Sequence, residues 1–208
     1  MEWTVRLLKI LLTLVAIDVA NNALPPLITT MAAEFRRHVS DFGSTVTVQF
    51  LGFAVAAYGA GSLIRRFSVS PQRFLRIGMV AMTLLIPVGA LIGSFGWLFA
   101  WVALLGMSAG LVETFGSICV SEYDRADSAR LLHLSQVFFA IGAVTAPELV
   151  SIVLRSSLPW RASFVVFGLG IAVIAAVLLV TVRDRPEPRS VMVATDDLTA
   201  SRSRNRTF

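Results

Sequence analysis

The sequence WLFAWVALLGMSAGLVETFGSICVS runs from Trp97 to Ser121 and contains one charged residue, Glu113. Its length exceeds the ~20 apolar residues that an α-helix needs to cross the hydrocarbon core of a bilayer. It lacks the alternation of polar and apolar residues that marks a membrane β-strand of about ten residues. The stretch therefore predicts a membrane-spanning helix, which satisfies its backbone hydrogen bonds internally.

Five further apolar stretches of similar length accompany this one. They are Leu7–Thr30, Ser44–Ile64, Leu75–Ser94, Leu131–Leu154 and Ala162–Val182. The composition fits, since 56% of the residues are hydrophobic and 15% charged, against about 45–50% and 25% in soluble domains. We therefore predict an all-α integral membrane protein with six transmembrane helices in residues 1–182. The polar segment 183–208 predicts a disordered cytoplasmic tail.

The basic residues lie in the links between the predicted spans. Outside the tail, eight of them fall on the side of the N-terminus and four on the other side. The positive-inside rule then places both termini in the cytoplasm of a multi-pass protein of the plasma or inner membrane. Orientation in the bilayer accounts for the net charge of +5. We therefore expect the lipid bilayer, and no nucleic acid, as a partner.

Glu113 is the most informative polar residue, because a charge in the middle of a span costs about 2.5–3.5 kcal/mol and so indicates a function. Gly106, Gly110 and Ser117 fall on the same helical face as Glu113. Burial disfavours the anionic form of a carboxyl, which makes Glu113 a candidate proton carrier and Ser117 a candidate solute ligand. The alternative is a structural acid that is hydrogen-bonded to a neighbouring helix.

The first span carries a second polar face. Asp18, Asn21, Asn22 and Pro25 are spaced at i, i+3, i+4 and i+7, and the pair Pro25-Pro26 predicts a break or kink. The pattern is typical of a helix that lines a cavity. Asp18 is then a second proton-coupling candidate, and Asn21 and Asn22 are candidate substrate-binding residues. The alternative is a polar stripe that joins helices by hydrogen bonds.

Gln136 in the fifth span offers an amide donor and acceptor, which suit a hydroxylated solute or an interhelical hydrogen bond. An enzyme is a weaker hypothesis. Segment 106–110 matches G-x-S-x-G, but that motif needs a strand–turn–helix setting, whereas here it lies within a predicted helix. Two histidines and one cysteine give no ligand spacing for a metal. We therefore expect no enzyme, metal or cofactor.

An internal repeat is weakly visible. Asp18 in the first span and Glu113 in the fourth are the conspicuous acids of their helices, and QFLGFA at 49–54 echoes QVFFA at 136–140. Transporters are often built from inverted three-helix units. The echo predicts two inverted three-helix repeats.

Three stretches resemble the major facilitator superfamily and, within it, the fucose-permease-like sugar/proton symporters. They are GSLIRRFS at 61–68, GLVET at 110–114 and LSQVFFAIGA at 134–143. The first aligns with the superfamily loop G-x-L-x-D-R, with a basic pair in place of Asp-Arg. The second matches a segment whose acid is implicated in proton coupling in that branch. The resemblance implies that Gly61, Arg65 and Arg66 form a gating loop.

The resemblance also implies a function. The superfamily uses two six-helix halves with the substrate between them, so this chain corresponds to the N-terminal half of a 12-helix transporter. We expect proton-coupled secondary transport of a sugar or another small polar solute, with a second six-helix half supplied by a homodimer or a separate chain. The alternative is a non-transporting accessory protein or a truncated, inactive transporter remnant.

Overall fold

The computed structural model describes the backbone of residues 2–67, 70–124 and 126–181, with side chains at 7–62, 64, 66, 70–124 and 126–176. Seven α-helices occur in this part of the chain. They are α1 (Glu2–Asn21), α2 (Leu24–Phe35), α3 (Gly43–Phe67), α4 (Pro71–Val88), α5 (Phe95–Ser121), α6 (Ser128–Arg155) and α7 (Arg161–Thr181). Two 3-10 turns, Val39–Phe42 and Gly89–Leu91, precede α3 and follow α4.

The all-α prediction is confirmed. Among the described residues, five helical stretches are long and apolar enough to cross a membrane, with α1 and α2 counted together as Leu7–Phe35. A sixth apolar helical stretch, Arg161–Ala176, is shorter. The predicted tail, 183–208, lies outside the described residues.

The break or kink expected from Pro25-Pro26 in the first span, 7–30, lies just before the two prolines. α1 ends at Asn21, a two-residue turn follows, and α2 begins at Leu24. The reason is that Pro25 and Pro26 have no N–H with which to continue the ladder of hydrogen bonds. Proline is well tolerated in the first turn of a helix, where that N–H would have no intrahelical partner. The chain therefore starts a new helix at the prolines.

The predicted gating loop is also helical. α3 continues to Phe67, so Gly61, Arg65 and Arg66 belong to its last two turns, and only three residues separate α3 from Pro71 at the start of α4. No proline interrupts α3 in this stretch, and its apolar residues extend the span. The side chain of Arg65 lies outside the described part of the chain.

The helices form two layers. α5 packs against α3, α4, α1 and α6, while α6 packs mainly on α1 and also on α5, and α7 packs on α4 and α1. We call the layer of α3, α5, α1 and α6 the front row. α4 and α7 form the back layer behind α5 and α1. The bundle has an N-terminal end, where α1 begins, and a far end, where α2 ends and α7 begins.

The tightest contact of the front row joins α3 to α5, which run parallel. At Gly106 of α5, an added Cβ would collide with the backbone carbonyl of Gln49. At Gly110 it would lie 2.5 Å from the Phe53 carbonyl oxygen, and Gly52 of α3 meets the α5 backbone in the same way. Small residues let membrane helices approach to backbone contact. The glycines therefore fix how closely α3 lies on α5.

Polar contacts at the far end connect parts of the chain that are distant in sequence. Arg161 Nη1 donates to the Glu34 carboxylate, at 2.7 Å from Oε2, and Arg161 Nη2 donates to the Ile92 carbonyl at 3.0 Å. Trp160 Nε1 also donates to Glu34. This cluster fastens the end of α2 to the start of α7 and to the link between α4 and α5.

We predict that Gly106→Ala lowers the free energy of unfolding by about 1–3 kcal/mol, because the new methyl group must push the α3 backbone away. The matched control is Gly59→Ala in α3, where an added Cβ meets nothing within 4 Å. That change is expected to be neutral or to stabilise by up to ~1 kcal/mol through helix propensity. Thermal unfolding in detergent compares the two variants, and equal stability would contradict the backbone contact.

Candidate functional site

Five polar side chains lie at mid-depth in the front row. α1 contributes Asp18 and Asn21, the turn after α1 contributes Asn22, α5 contributes Glu113, and α3 contributes Gln49. The first four are partly exposed, whereas the side chain of Gln49 is only 6% exposed. Polar groups at this depth of a membrane span are costly unless they face protein or water. This group of five residues is called the midplane cluster below.

The two carboxylates of the cluster lie on helices that contact one another, Asp18 on α1 and Glu113 on α5. α6 closes one side, because an added Cβ at Gly142 would lie 2.8 Å from the Asp18 Cβ and 3.2 Å from its Oδ2. Among the described residues, neither carboxylate forms an ion pair. Three helices thus converge on two acids without a cationic partner in the described chain.

Gln49 connects α3 to the break between α1 and α2. Its Nε2 donates to the Asn21 backbone oxygen at 3.0 Å and to Asn21 Oδ1 at 2.8 Å. In an uninterrupted helix the Asn21 carbonyl would accept from the N–H of residue 25, which is a proline. The Gln49 amide therefore replaces the hydrogen bond that Pro25 cannot make.

These bonds also determine which amide atoms of the cluster have no partner within the described chain. Because Asn21 Oδ1 accepts from Gln49, the amide nitrogen of Asn21 is directed away from Gln49 as a donor. The Gln49 Oε1 is an acceptor, and no hydrogen bond occupies either atom within the described chain. Asn22 instead donates to the Asp18 backbone oxygen at 2.9 Å. The site thus combines carboxylates with an amide donor and an amide acceptor.

Two contacting helices, α1 with the turn after it and α5, carry four of the six residues predicted from the sequence to couple protons or bind solute: Asp18, Asn21, Asn22 and Glu113. Ser117 is half-buried one turn beyond Glu113, and Gln136 is exposed on α6. Neither is hydrogen-bonded to the cluster in the described residues.

Gln49 was missed as a site residue by sequence reasoning, although its position in the second span and its echo at Gln136 were visible. Its partner could not be found from the sequence, because Asn21 is 28 positions away and on another helix.

The remaining candidates lie apart from the cluster. Gly61 and Arg66 are exposed near the N-terminal end of the bundle. Ser108 of the G-x-S-x-G match is buried within α5, where its hydroxyl donates to the Leu105 carbonyl at 2.8 Å. That setting differs from the strand–turn–helix of a nucleophile elbow. In the described part of the chain, no three His, Cys, Asp or Glu residues are grouped to hold a metal.

A bundle of membrane-length helices with partly exposed acids and amides at mid-depth is typical of polytopic membrane transport proteins. Comparison with protein families gives the particular group. The chain belongs to the Major Facilitator Superfamily, whose family model matches residues 10–203. The superfamily predicted from the sequence motifs is confirmed, while the fucose-permease-like branch stays a prediction.

A solved structure supports the same fold. It is that of a bacterial homologue of the human lysosomal transporter Spinster, in an inward-facing and unoccupied conformation, with a TM-score of 0.70 and 13% sequence identity. The match covers 89% of this chain and 44% of that one, so this chain spans less than half the length of its structural neighbour. No curated protein sequence matches the chain.

We predict that Gln49→Leu lowers the free energy of unfolding by about 1–3 kcal/mol, because it leaves the Asn21 carbonyl without a donor. Amide hydrogen exchange is expected to quicken at the break between α1 and α2. The control is Gln136→Leu on exposed α6, which is expected to change stability by less than about 0.5 kcal/mol. If both variants unfold alike and exchange at the break is unchanged, the role assigned to Gln49 is wrong.

Proposed function

We propose that the chain is the N-terminal half of a proton-coupled secondary transporter, and that a small polar solute binds at the midplane cluster. The observation that carries this proposal is the pair of partly exposed carboxylates, Asp18 on α1 and Glu113 on α5, two helices that pack against one another. A charge in contact with lipid there costs about 2.5–3.5 kcal/mol on insertion scales. A water-filled cavity in front of the row removes that cost.

Protons are the coupling ion that this arrangement favours. Two like charges on neighbouring helices repel one another, and the repulsion is removed when one of the carboxylates binds a proton. Glu113 is the proposed carrier, with Asp18 as its electrostatic partner. Uptake of a proton removes one charge from the contact between α1 and α5, and this change can favour one arrangement of the halves over the other.

The solute class follows from the neutral groups of the cluster. The Asn21 amide donates and Gln49 Oε1 accepts, a combination that fits the hydroxyl groups of a sugar or another uncharged polar solute. Asn22, Ser117 and Gln136 are proposed as further solute ligands along the same cavity. This choice agrees with the resemblance to the fucose-permease-like branch.

The architecture is proposed to contain two inverted three-helix repeats. The first consists of α1 and α2 counted as one span, α3 and α4, and the second consists of α5, α6 and α7. Three features support this. The acids lie on the central helices α1 and α5, the flanking positions are taken by α3 and α6, and α4 and α7 share the back layer. The parallel pair of α3 and α5 also has a counterpart in α6 and α1. These two helices are parallel as well, and they meet where Gly142 lies against Asp18.

A second six-helix unit is proposed to cover the front row, as part of a multi-pass protein of the cell membrane with both termini in the cytoplasm. Gly61, Arg65 and Arg66, at the N-terminal end, would then contact that unit as the gate opens and closes. The competing proposal is an accessory protein or an inactive remnant. It predicts that no solute drives proton movement.

We predict that Glu113→Gln abolishes solute-driven proton entry into proteoliposomes that contain a pH-sensitive dye, because the amide cannot carry a proton. Monosaccharides added one at a time serve as the solutes. Counterflow exchange of the active sugar is expected to survive, since it needs no net proton transfer. The control is Glu148→Gln, an exposed acid of α6 outside the cluster. Proton entry that persists in Glu113→Gln would refute the coupling role.

A further inference from the structure

A groove with a volume of about 390 Å³ opens at the start of α6, at the N-terminal end of the bundle. Asp127, Arg130 and His133 form its polar wall, and Leu134 and Val137 belong to its apolar wall. All five side chains are exposed, and none belongs to the midplane cluster. The volume falls in the range of ~300–1,000 Å³ that is usual for pockets that bind small molecules. The groove is therefore a candidate binding site that the proposed transport function leaves without a role.

The apolar wall of the groove continues along α6 as a stripe of exposed side chains, Leu134, Val137, Ile141 and Val144. Their spacing of i, i+3, i+7 and i+10 places them on one helical face, opposite buried Ala146. From Leu134 to Val144 the helix rises ~15 Å, at 1.5 Å for each residue. This length equals the hydrocarbon depth of one leaflet, which is half of the ~30 Å core of a bilayer. The stripe therefore has the length and the chemistry to hold one acyl chain.

The polar wall changes along α6 in the order in which a phospholipid changes from its chains outward. His133, next to the stripe, offers a ring N–H to ester or phosphate oxygens. Arg130, one turn nearer the water, carries a planar guanidinium that pairs with phosphate through two hydrogen bonds. Asp127, a further turn out, accepts hydrogen bonds. Within the described residues, none of these three side chains has a hydrogen-bond or ion-pair partner.

The charges around the groove favour an anionic headgroup. At this end of the bundle, the described side chains include five basic ones, Lys9, Arg66, Arg73, Arg76 and Arg130, and three acids, Glu122, Asp124 and Asp127. Basic residues near the membrane surface attract anionic lipids. Because Asp127 belongs to the groove itself, it disfavours a ligand that carries more than one negative charge.

We propose that the groove binds a phospholipid with one negative charge and a hydroxylated headgroup, such as phosphatidylglycerol. Arg130 pairs with the phosphate, His133 donates to an ester carbonyl, and the headgroup hydroxyls donate to Asp127. One acyl chain lies along the stripe. Phosphatidic acid is disfavoured because its phosphate monoester approaches two charges near neutral pH and Asp127 repels the second. Phosphatidylcholine is disfavoured because its headgroup has no donor for Asp127.

The test counts the lipids that stay bound to the detergent-solubilised full chain in native mass spectrometry. Phosphatidylglycerol, phosphatidylcholine and phosphatidylethanolamine are added in equal amounts, and the wild type is expected to retain phosphatidylglycerol preferentially. Arg130→Gln should reduce the bound phosphatidylglycerol about tenfold, because it removes a charge-assisted pair. The matched control is Arg73→Gln, an exposed arginine at the same end but on α4, which should change the bound amount by less than about twofold.

A second variant tests the selectivity assigned to Asp127 and gives a gain instead of a loss. Asp127→Asn removes the repulsion, so the bound phosphatidic acid should rise about tenfold relative to phosphatidylglycerol. A chain that folds poorly would not produce such a gain. Asp124→Asn changes an exposed acid outside the groove, and it should leave the ratio of the two lipids unchanged.

Several results would overturn the inference. Equal losses in Arg130→Gln and Arg73→Gln would show a general attraction of charge in place of the groove. Equal retention of the three lipids by the wild type would refute the choice of headgroup. Retention of inorganic phosphate or of a second polypeptide, with no lipid, would assign the groove to that occupant. None of these results bears on the proposed function, because the proton assay on Glu113→Gln reads a cluster that shares no residue with the groove.

Discussion

The midplane cluster depends on the hydrogen bonds between the Gln49 amide and Asn21. A break in a membrane helix exposes backbone groups that lipid cannot satisfy, and Pro25 leaves the Asn21 carbonyl in that position. Gln49 reaches it only because Gly106 lets α3 lie directly on the α5 backbone. Gly106 of α5 thus sets the position of α3, and the Gln49 side chain of α3 then supplies the hydrogen bond that the end of α1 lacks.

The break determines what the front row can do. α1 and the turn after it carry Asp18, Asn21 and Asn22 at the break, and Glu113 lies on the neighbouring helix α5. α2 continues beyond the break to the far end, where Glu34 is held by Arg161 and Trp160. Discontinuous helices of this kind place binding groups at mid-depth in many transporters. The same segment therefore supplies a rigid attachment at the far end and an irregular, polar backbone at the centre.

The spans and the two acids could be predicted from the sequence, because the cost of charge in lipid makes both conspicuous. The kink at Pro25-Pro26 was expected. It lies before the prolines because proline is tolerated in the first turn of a helix, where its missing N–H would have no intrahelical partner. Gln49 could not be assigned, since its role depends on the approach of α3 to α5. Gly61 and Arg66 were assigned to a loop from a family motif, whereas the local sequence continues the helix.

The proposed solute path requires the front row to face water rather than lipid, and thiol labelling measures this exposure. In a Cys119→Ser background, Ser117→Cys places a thiol one turn from Glu113, and Val173→Cys places one on α7, where the native residue is 64% exposed. Charged thiol reagents react with the hydrated thiolate. In proteoliposomes we expect labelling at 117 and none at 173. Protection of both positions would show that the front row faces lipid and would refute the proposed cavity.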